Sequence, residues 1–336
     1  MVVEKLWLKK DKQTRAKWKT LLKKVDLIPD YNVSYTVGIF EGEQLIATGS
    51  CFQNIIKCVA IDPDSQGEQL LSKIINALFD YLNEHDETHY FLYTKPSATT
   101  YFKSLGFSQI AETNNLAFME YGLPNFQNYL EKIKKLKLPA EHAGSIVMNA
   151  NPFTKGHLHL IKQAHEKCDV VYVFVLSDDS SEFSATNRFE LVKKGVAYME
   201  NVVVIPTNSY IVSQATFPSY FLKDQADEEI AKVQARLDAT VFSQFIAPAL
   251  DIKERFVGEE PFSEVTEIYN QAMTEVFKGH LTLTIIPRLA IDDEVISATK
   301  IRAAFNRKNL EPIKNLVPET TYQFLEKELK KTLQSV

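Results

Sequence analysis

From about residue 143 onward, apolar runs alternate with stretches of helical spacing. The runs are Ser145–Asn149, Val170–Leu176, Val202–Ile205, Phe256–Val257 and Leu281–Ile286. Between them, apolar residues recur every three or four positions around 157–168, 188–200, 225–246 and 263–278, and a last helix is expected over Glu319–Leu333. Strand and helix in alternation predict a mainly parallel, Rossmann-like α/β sheet with right-handed crossovers. Such sheets bind ligands at the carboxyl ends of their strands.

The first part of the chain has another rhythm. Val33–Phe40 and Leu45–Phe52 flank Glu41-Gly42-Glu43-Gln44, a hairpin signal, and Ile55–Ile61 reads as a third strand. After Asp64-Ser65-Gln66-Gly67-Glu68 comes a helix bearing Leu70, Leu71, Ile74, Ile75, Leu78 and Phe79. Tyr90–Tyr93 predicts a strand, Ala98–Leu105 a helix, and Gly106-Phe107 its end. The expected fold class is α/β throughout, with a mixed first domain over residues 1–125 and a parallel-sheet domain over 143–336. Between them, 126–142 is a Lys-rich linker, with Pro124 and Pro139 at its margins and room for a helix and a short hinge.

Composition narrows the class. A chain of 336 residues, 45% apolar and 24% charged, suits two domains with ordinary cores. No apolar run approaches the roughly 20 residues of a bilayer span, so no membrane association is expected. No secretory h-region precedes the first charges, and a cytoplasmic location is expected. A formal charge of −5 argues against nucleic acid as a partner, and the clustered Lys132, Lys134, Lys135 and Lys137 read as a solvated helix end. Cys51, Cys58 and Cys168 are odd in number and lack a Cys-x-x-Cys, which points to buried reduced thiols and not to disulfides or zinc.

Two stretches carry candidate chemistry. Asn149-Ala150-Asn151-Pro152-Phe153-Thr154-Lys155-Gly156-His157 lies between a strand and a helix. That junction offers free backbone N–H groups and a positive dipole end to an anion, and His157 falls on the first helical turn. Alone, it is also an ordinary polar turn. The second stretch, Ile296-Ser297-Ala298-Thr299-Lys300-Ile301-Arg302, opens a helix with Ser297 and Thr299 at its start and cations close by. It reads either as a capped surface helix or as a second phosphate site.

Together, in order, the two stretches resemble the motifs of the nucleotidylyltransferase superfamily, His-x-Gly-His and Ile-Ser-Ser-Thr-x-x-Arg. Here Thr154 stands for the first His and Ala298 for the second Ser. The resemblance implies that ATP binds between them. Asn149, Ala150, Asn151 and Phe153 would shape the ATP cleft, with Gly156 allowing close approach, and Thr154 would donate a hydroxyl hydrogen bond. His157 would stabilise the α-phosphate as it transfers. Ile296, Ser297, Thr299, Lys300 and Arg302 would form the β- and γ-phosphate end. Mg²⁺ would neutralise the pyrophosphate, held largely by phosphate oxygens and water. Gly258 and Glu259, in Phe256-Val257-Gly258-Glu259-Glu260-Pro261, are candidates to contact the nucleotide. Arg188 is a candidate too, with a plain surface arginine as the other reading. Asp178 and Asp179 read as loop solvation.

The first domain resembles the GNAT acetyltransferase fold. In that family a Gly-rich turn binds coenzyme A pyrophosphate, which makes Gly67 a candidate. Gln69 stands where a second small residue is usual, and Tyr101–Phe107 matches the late Tyr/Phe-x-x-x-Gly-Phe pattern. The whole chain, with Asn-Pro-Phe-Thr-x-Gly-His, resembles the citrate (pro-3S)-lyase ligase family. That resemblance implies formation of acetyl-AMP from acetate and ATP. The acetyl group would then pass to the thiol of the phosphoribosyl-dephospho-coenzyme A arm on the acyl carrier subunit of citrate lyase. An adenylyltransferase of cofactor biosynthesis and a non-catalytic nucleotide-binding regulator remain the alternatives.

Overall fold

A computed structural model describes residues 1–65, 68–178, 181–211, 227–259, 264–291 and 294–334. The chain forms two compact units: Met1–Tyr129 together with a later helical segment that ends at Thr240, and the remainder from Leu130 onward.

The first unit is built on a seven-stranded sheet. Its elements are β1 (Val3–Lys5), α1 (Lys12–Lys24), β2 (Tyr35–Glu41), β3 (Gln44–Phe52), β4 (Ile55–Ile61), α2 (Glu68–Asn83), β5 (His89–Thr94), α3 (Thr99–Ser104), β6 (Ser108–Glu112) and β7 (Ala117–Gly122). The strand order is β1-β2-β3-β4-β5-β7-β6. Every pairing is antiparallel except β4 with β5, which run parallel and are joined only at Ile55–Phe91 and Ile56–Leu92. Beyond that point β4 bends at Cys58, whose φ is +53°. On α2, Leu70, Ile74, Ile75, Leu78 and Leu82 recur at helical spacing, so a single stripe packs into the core with Val37, Ile39 and Leu92 of the sheet. The sequence reading missed β1, α1, β6 and β7.

α4 (Phe126–Lys134) occupies the Lys-rich stretch expected to be a linker; it buries Phe126, Tyr129, Leu130 and Ile133 and turns its lysines outward. The second unit then has β8 (Ala143–Met148), α5 (Lys155–His165), β9 (Val170–Val175), α6 (Ala185–Gly195) and β10 (Val202–Pro206); after α7 (Asp227–Val241), which belongs to the first unit as far as Thr240, it continues with α8 (Ala247–Ala249), β11 (Ile252–Gly258), α9 (Glu264–Phe277), β12 (Thr282–Ile286), β13 (Ala290–Ile291), β14 (Glu294–Val295), α10 (Ala298–Asn306) and α11 (Glu319–Gln334). Five parallel strands are ordered β10-β9-β8-β11-β12. All six residues of β9 are buried, as a strand covered on both faces must be. The chain moves outward from β8 in one direction and then returns to β11 on its other side. This reversal opens a crevice at the carboxyl end of β8, where ligands bind in open α/β sheets. A short hairpin, β13–β14, stands between β12 and α10 and was not foreseen.

Candidate active site

The turn after β8 occupies that crevice. Ala150 is fully buried with φ +49°, a left-handed conformation that costs a non-glycine residue energy, and the Asn151–Pro152 bond is cis. Thr154 caps α5: its hydroxyl accepts the His157 N–H at 3.3 Å. The Lys155 and Gly156 N–H groups have no partner among the described residues, so α5 presents free donors at its positive end.

His157 is held in one tautomer. The Thr154 backbone N–H donates to His157 Nδ1 at 3.1 Å, and the Thr154 hydroxyl lies 2.9 Å from the same nitrogen. A backbone N–H can only donate, so Nδ1 is unprotonated and the ring carries its proton on Nε2. Burial, with the Arg288 guanidinium as a second cause, holds the ring's pKa down to about 4. His157 is therefore a neutral Nε2–H donor at neutral pH. Its ring stacks nearly parallel to Phe153 at 6.0 Å.

The two motifs meet. Arg302 Nη1 donates to the Asn151 carbonyl at 2.7 Å, and Nη2 donates to Thr299 Oγ1 at 3.0 Å. A Cβ built on Gly156 would lie 3.7 Å from Ile296 Cβ, so the start of α5 abuts the segment that opens α10. Ile296 and Ile301 sink into a core with Phe183, Leu310 and Leu325, which fixes α10 in place. Ser297 occupies the N-cap of α10 but makes no side-chain cap bond, leaving its hydroxyl for a ligand. Lys300 stands exposed in the first turn of α10.

Several predicted residues have other places. Thr154 is buried and its hydroxyl faces His157, so capping, not ligand contact, takes its hydrogen bonds. Phe153 is fully buried against α6, where a Cβ on Gly195 would come within 2.5 Å of its ring; it anchors the turn and does not line the cleft. Arg188 is neither a surface residue nor aimed at a ligand. It is fully buried, and its Nε donates to the Phe183 carbonyl at 3.0 Å. Its Nη1 donates to Asn149 O, Asn149 Oδ1 and Leu176 O at 2.9, 2.6 and 2.8 Å, and Nη2 reaches the Asp178 carbonyl. One guanidinium thus ties together the loops after β8 and β9. Asn151 Oδ1 accepts the Phe183 N–H at 3.2 Å and adds to that tie.

At the end of β11, Gly258 has open space where a Cβ would be. Glu259 is exposed; its N–H donates to the Ile286 carbonyl, and its own carbonyl accepts Arg288 Nε, both at 2.9 Å. Arg288 was not foreseen. It follows Pro287 just past the end of β12, and a cation directly after a strand's carboxyl end was the available signal. Gly67 and Asp179 lie outside the described residues.

Among the described residues, one group of His, Cys and acidic side chains is close enough to share an ion: His142, Cys168 and Glu254. It sits at the amino ends of β8 and β11, the end of the sheet away from the cleft. There the His142 Nε2–Glu254 Oε2 contact of 2.7 Å closes it without an ion, and burial pushes the Cys168 thiol up to about 12.

Comparison with known proteins decides the family. Residues 143–325 match the family described as the citrate lyase ligase C-terminal domain. A citrate (pro-3S)-lyase ligase from Escherichia coli K12 is 38% identical over 90% of this chain and 87% of its own. The chain belongs to the citrate lyase ligase family. A second member, from Klebsiella pneumoniae, is 32% identical over 97% of this chain and 96% of its own. Among solved structures, Thermotoga maritima TmcAL bound with alpha-thio ATP is similar over 56% of each chain, at 16% identity and a TM-score of 0.34. Among the described residues no helix is long and apolar enough to cross a membrane.

Proposed function

We propose that this protein is a ligase that activates citrate lyase: it consumes ATP to acetylate the prosthetic-group thiol of the lyase's acyl carrier subunit. The observation that carries the reading is the junction of the two motifs, with Arg302 bonded to the Asn151 carbonyl at the switch point of a parallel sheet. In its support, a neutral N–H donor, free backbone N–H groups, hydroxyls and cations belong to the adjoining starts of α5 and α10.

ATP enters the cleft; Mg²⁺, when bound with it, would supply charge neutralisation at the pyrophosphate end, beside Ser297 and Thr299. The triphosphate lies across the starts of α5 and α10, with Ser297, Thr299, Lys300 and Arg302 at the β and γ end. An acetate oxygen attacks the α-phosphorus. The bond from that phosphorus to the bridging oxygen breaks and pyrophosphate leaves. His157 Nε2–H donates to a non-bridging α-oxygen, where charge builds in the transition state. Arg288 adds positive potential without a proton transfer. The thiolate of the carrier's prosthetic arm then attacks the acyl carbon of acetyl-AMP. The acyl C–O bond breaks, AMP leaves, and the thiol proton goes to solvent.

The first unit, with the part of the chain before the linker helix, takes the carrier side of the reaction. Supporting this, β4 and β5 part beyond Ile56 and Leu92, leaving strand edges to which an extended amide-bearing arm can hydrogen-bond. The test is pyrophosphate release from ATP and acetate, with and without deacetylated citrate lyase. Acetate-dependent release matched by recovery of lyase activity is expected. Release with a nucleotide or pantetheine acceptor instead would move the protein to cofactor biosynthesis.

A further inference from the structure

The start of the chain is strongly basic. The whole chain's formal charge is −5, yet the first 25 residues hold Lys5, Lys9, Lys10, Lys12, Arg15, Lys17, Lys19, Lys23 and Lys24 against only Glu4 and Asp11. Most of these lie on or beside α1, which Asp11 caps by accepting the Gln13 and Thr14 N–H groups. The helix buries Trp18, Leu21 and Leu22. Lys12, Arg15, Lys19 and Lys23 recur at spacings of three and four, so they share one flank beside that buried stripe.

Like charges at such spacing repel and weaken the helix that carries them. Other cations of this unit are paired: Lys24, at the end of α1, contacts Asp62 and Asp64 at 2.6 Å each, and Lys57 contacts Asp30 at 2.6 Å. Lys12, Arg15, Lys19 and Lys23 have no carboxylate partner among the described residues. Two large aromatic rings are exposed against cations of this segment, Trp7 at 53% and Tyr31 at 50%. Lys5 and Lys10 lie over the Trp7 ring at 4.2 and 5.2 Å, and Lys19 over Tyr31 at 5.2 Å. Exposed aromatics and Arg are enriched at interface centres, and lysines around them suit a polar rim that steers a partner.

We propose that this flank of α1, with Trp7 and Tyr31, docks an acidic face of the carrier protein that presents the thiol. This rests on the function proposed above. The rest of an acidic chain repels an acidic partner, so the flank selects both partner and orientation. A small acidic protein fits better than a nucleic acid duplex or an anionic bilayer. Those polyanions extend well past the patch and would face the negative remainder of the molecule within a screening length of about 8 Å.

The experiment is a triple charge reversal, Lys12→Glu, Lys19→Glu and Lys23→Glu, in the full-length chain. Acetate-dependent exchange of pyrophosphate into ATP needs no carrier; it reports folding and the nucleotide site, and is expected to match wild type. The KM for deacetylated citrate lyase is expected to rise about tenfold, and kcat/KM to lose its steep fall with salt. Replacing the same lysines by Arg is expected to restore both. Normal exchange with an unchanged KM and salt slope overturns the docking surface and leaves the enzyme reading intact. Absence of exchange in wild type removes the enzyme reading; direct binding of the isolated carrier subunit, lost in the reversal variant, would then still support the surface. Binding of phosphatidylserine vesicles or RNA that is lost in the variant, while carrier binding is not, overturns the proposal in favour of those polyanions.

Discussion

The two units put polar side chains to opposite uses. In the second, Arg188, Asn149, Asn151 and Arg302 bond to carbonyls and amides of loops that leave the sheet, so polar chemistry shapes a cleft. In the first, buried polar groups close on one another: Lys57 on Asp30, Thr36 on Ser50, and His89 on Glu120, which also accepts the Phe126 N–H. The first unit's unspent cations are left on an outer flank of α1. On the function proposed above, the difference would separate a site of reaction from a site of recognition.

Arg188 gives the largest expected break in this comparison. Its guanidinium is fully buried and has several loop carbonyls as acceptors. Arg188→Met should leave those acceptors unpaired and cost about 3–5 kcal/mol, by analogy with the loss of one partner from a buried charged network. The melting transition of the second unit should fall, and ATP affinity with it, while circular dichroism still reports a folded first unit. A variant that melts and binds ATP like wild type would make Arg188 a passenger in the cleft.

The next effect is on chemistry alone. Gln places an amide N–H near the position of His Nε2, whereas Asn places one near Nδ1. His157→Asn is expected to lower kcat for pyrophosphate exchange by about 10²–10³, the usual cost of a lost transition-state donor, with little change in KM for ATP. His157→Gln should keep a measurable part of that rate. Equal losses in the two would show that the Nε2–H does not act as assigned. A long-range ¹⁵N spectrum of the ring reads the tautomer in the free protein, whatever the activity.

Arg302 should matter less when its charge is kept. Arg302→Lys retains the cation but not the fork that reaches Asn151 and Thr299 together. A rise of about tenfold in KM for ATP is expected, with a smaller change in kcat. The opposite split would place Arg302 at the transferring phosphate.

Alternation of apolar runs and helical stretches made the second unit's sheet legible, because its inner strands β8 and β9 are buried almost throughout and have no polar phase to confuse them. The two motifs were legible because a strand-to-helix turn concentrates its signals in a few residues. What side chains do there was less so. Thr154 looked like a ligand donor, yet as an N-cap its hydroxyl was already committed to α5. Arg188 looked like a ligand contact or a plain surface residue because sequence spacing does not reveal that loops after β8 and β9 converge on it. Arg288 escaped notice since its loop carries no motif. In the first unit, α1 was hidden by its own charge: only Trp18, Leu21 and Leu22 mark the buried face among nine cations in the first 25 residues. β6 and β7 were lost for a similar reason, being short and joined by a polar turn.

The smallest expected effect on rate is that of pH, and it tests the tautomer most directly. The unfolded imidazole takes up a proton below about pH 6.5, while in the fold His157 stays neutral until about pH 4. Between these values the unfolded state binds more protons, so the contribution of this ring to stability falls as pH falls from 6.5 to 4, by up to about 3 kcal/mol, and is constant above 6.5. Gln does not titrate, so the difference in melting between wild type and His157→Gln isolates that slope from the carboxylates, which change lower. Catalysis should not follow the unfolded ring's titration: with the ring neutral throughout, kcat for exchange from pH 5.5 to 8.5 should show no histidine limb. An acid limb near pH 6.5 in wild type that vanishes in His157→Gln would mean the ring protonates in the working enzyme. The bond from Thr154 N–H to Nδ1 would then not persist in the complex with ATP.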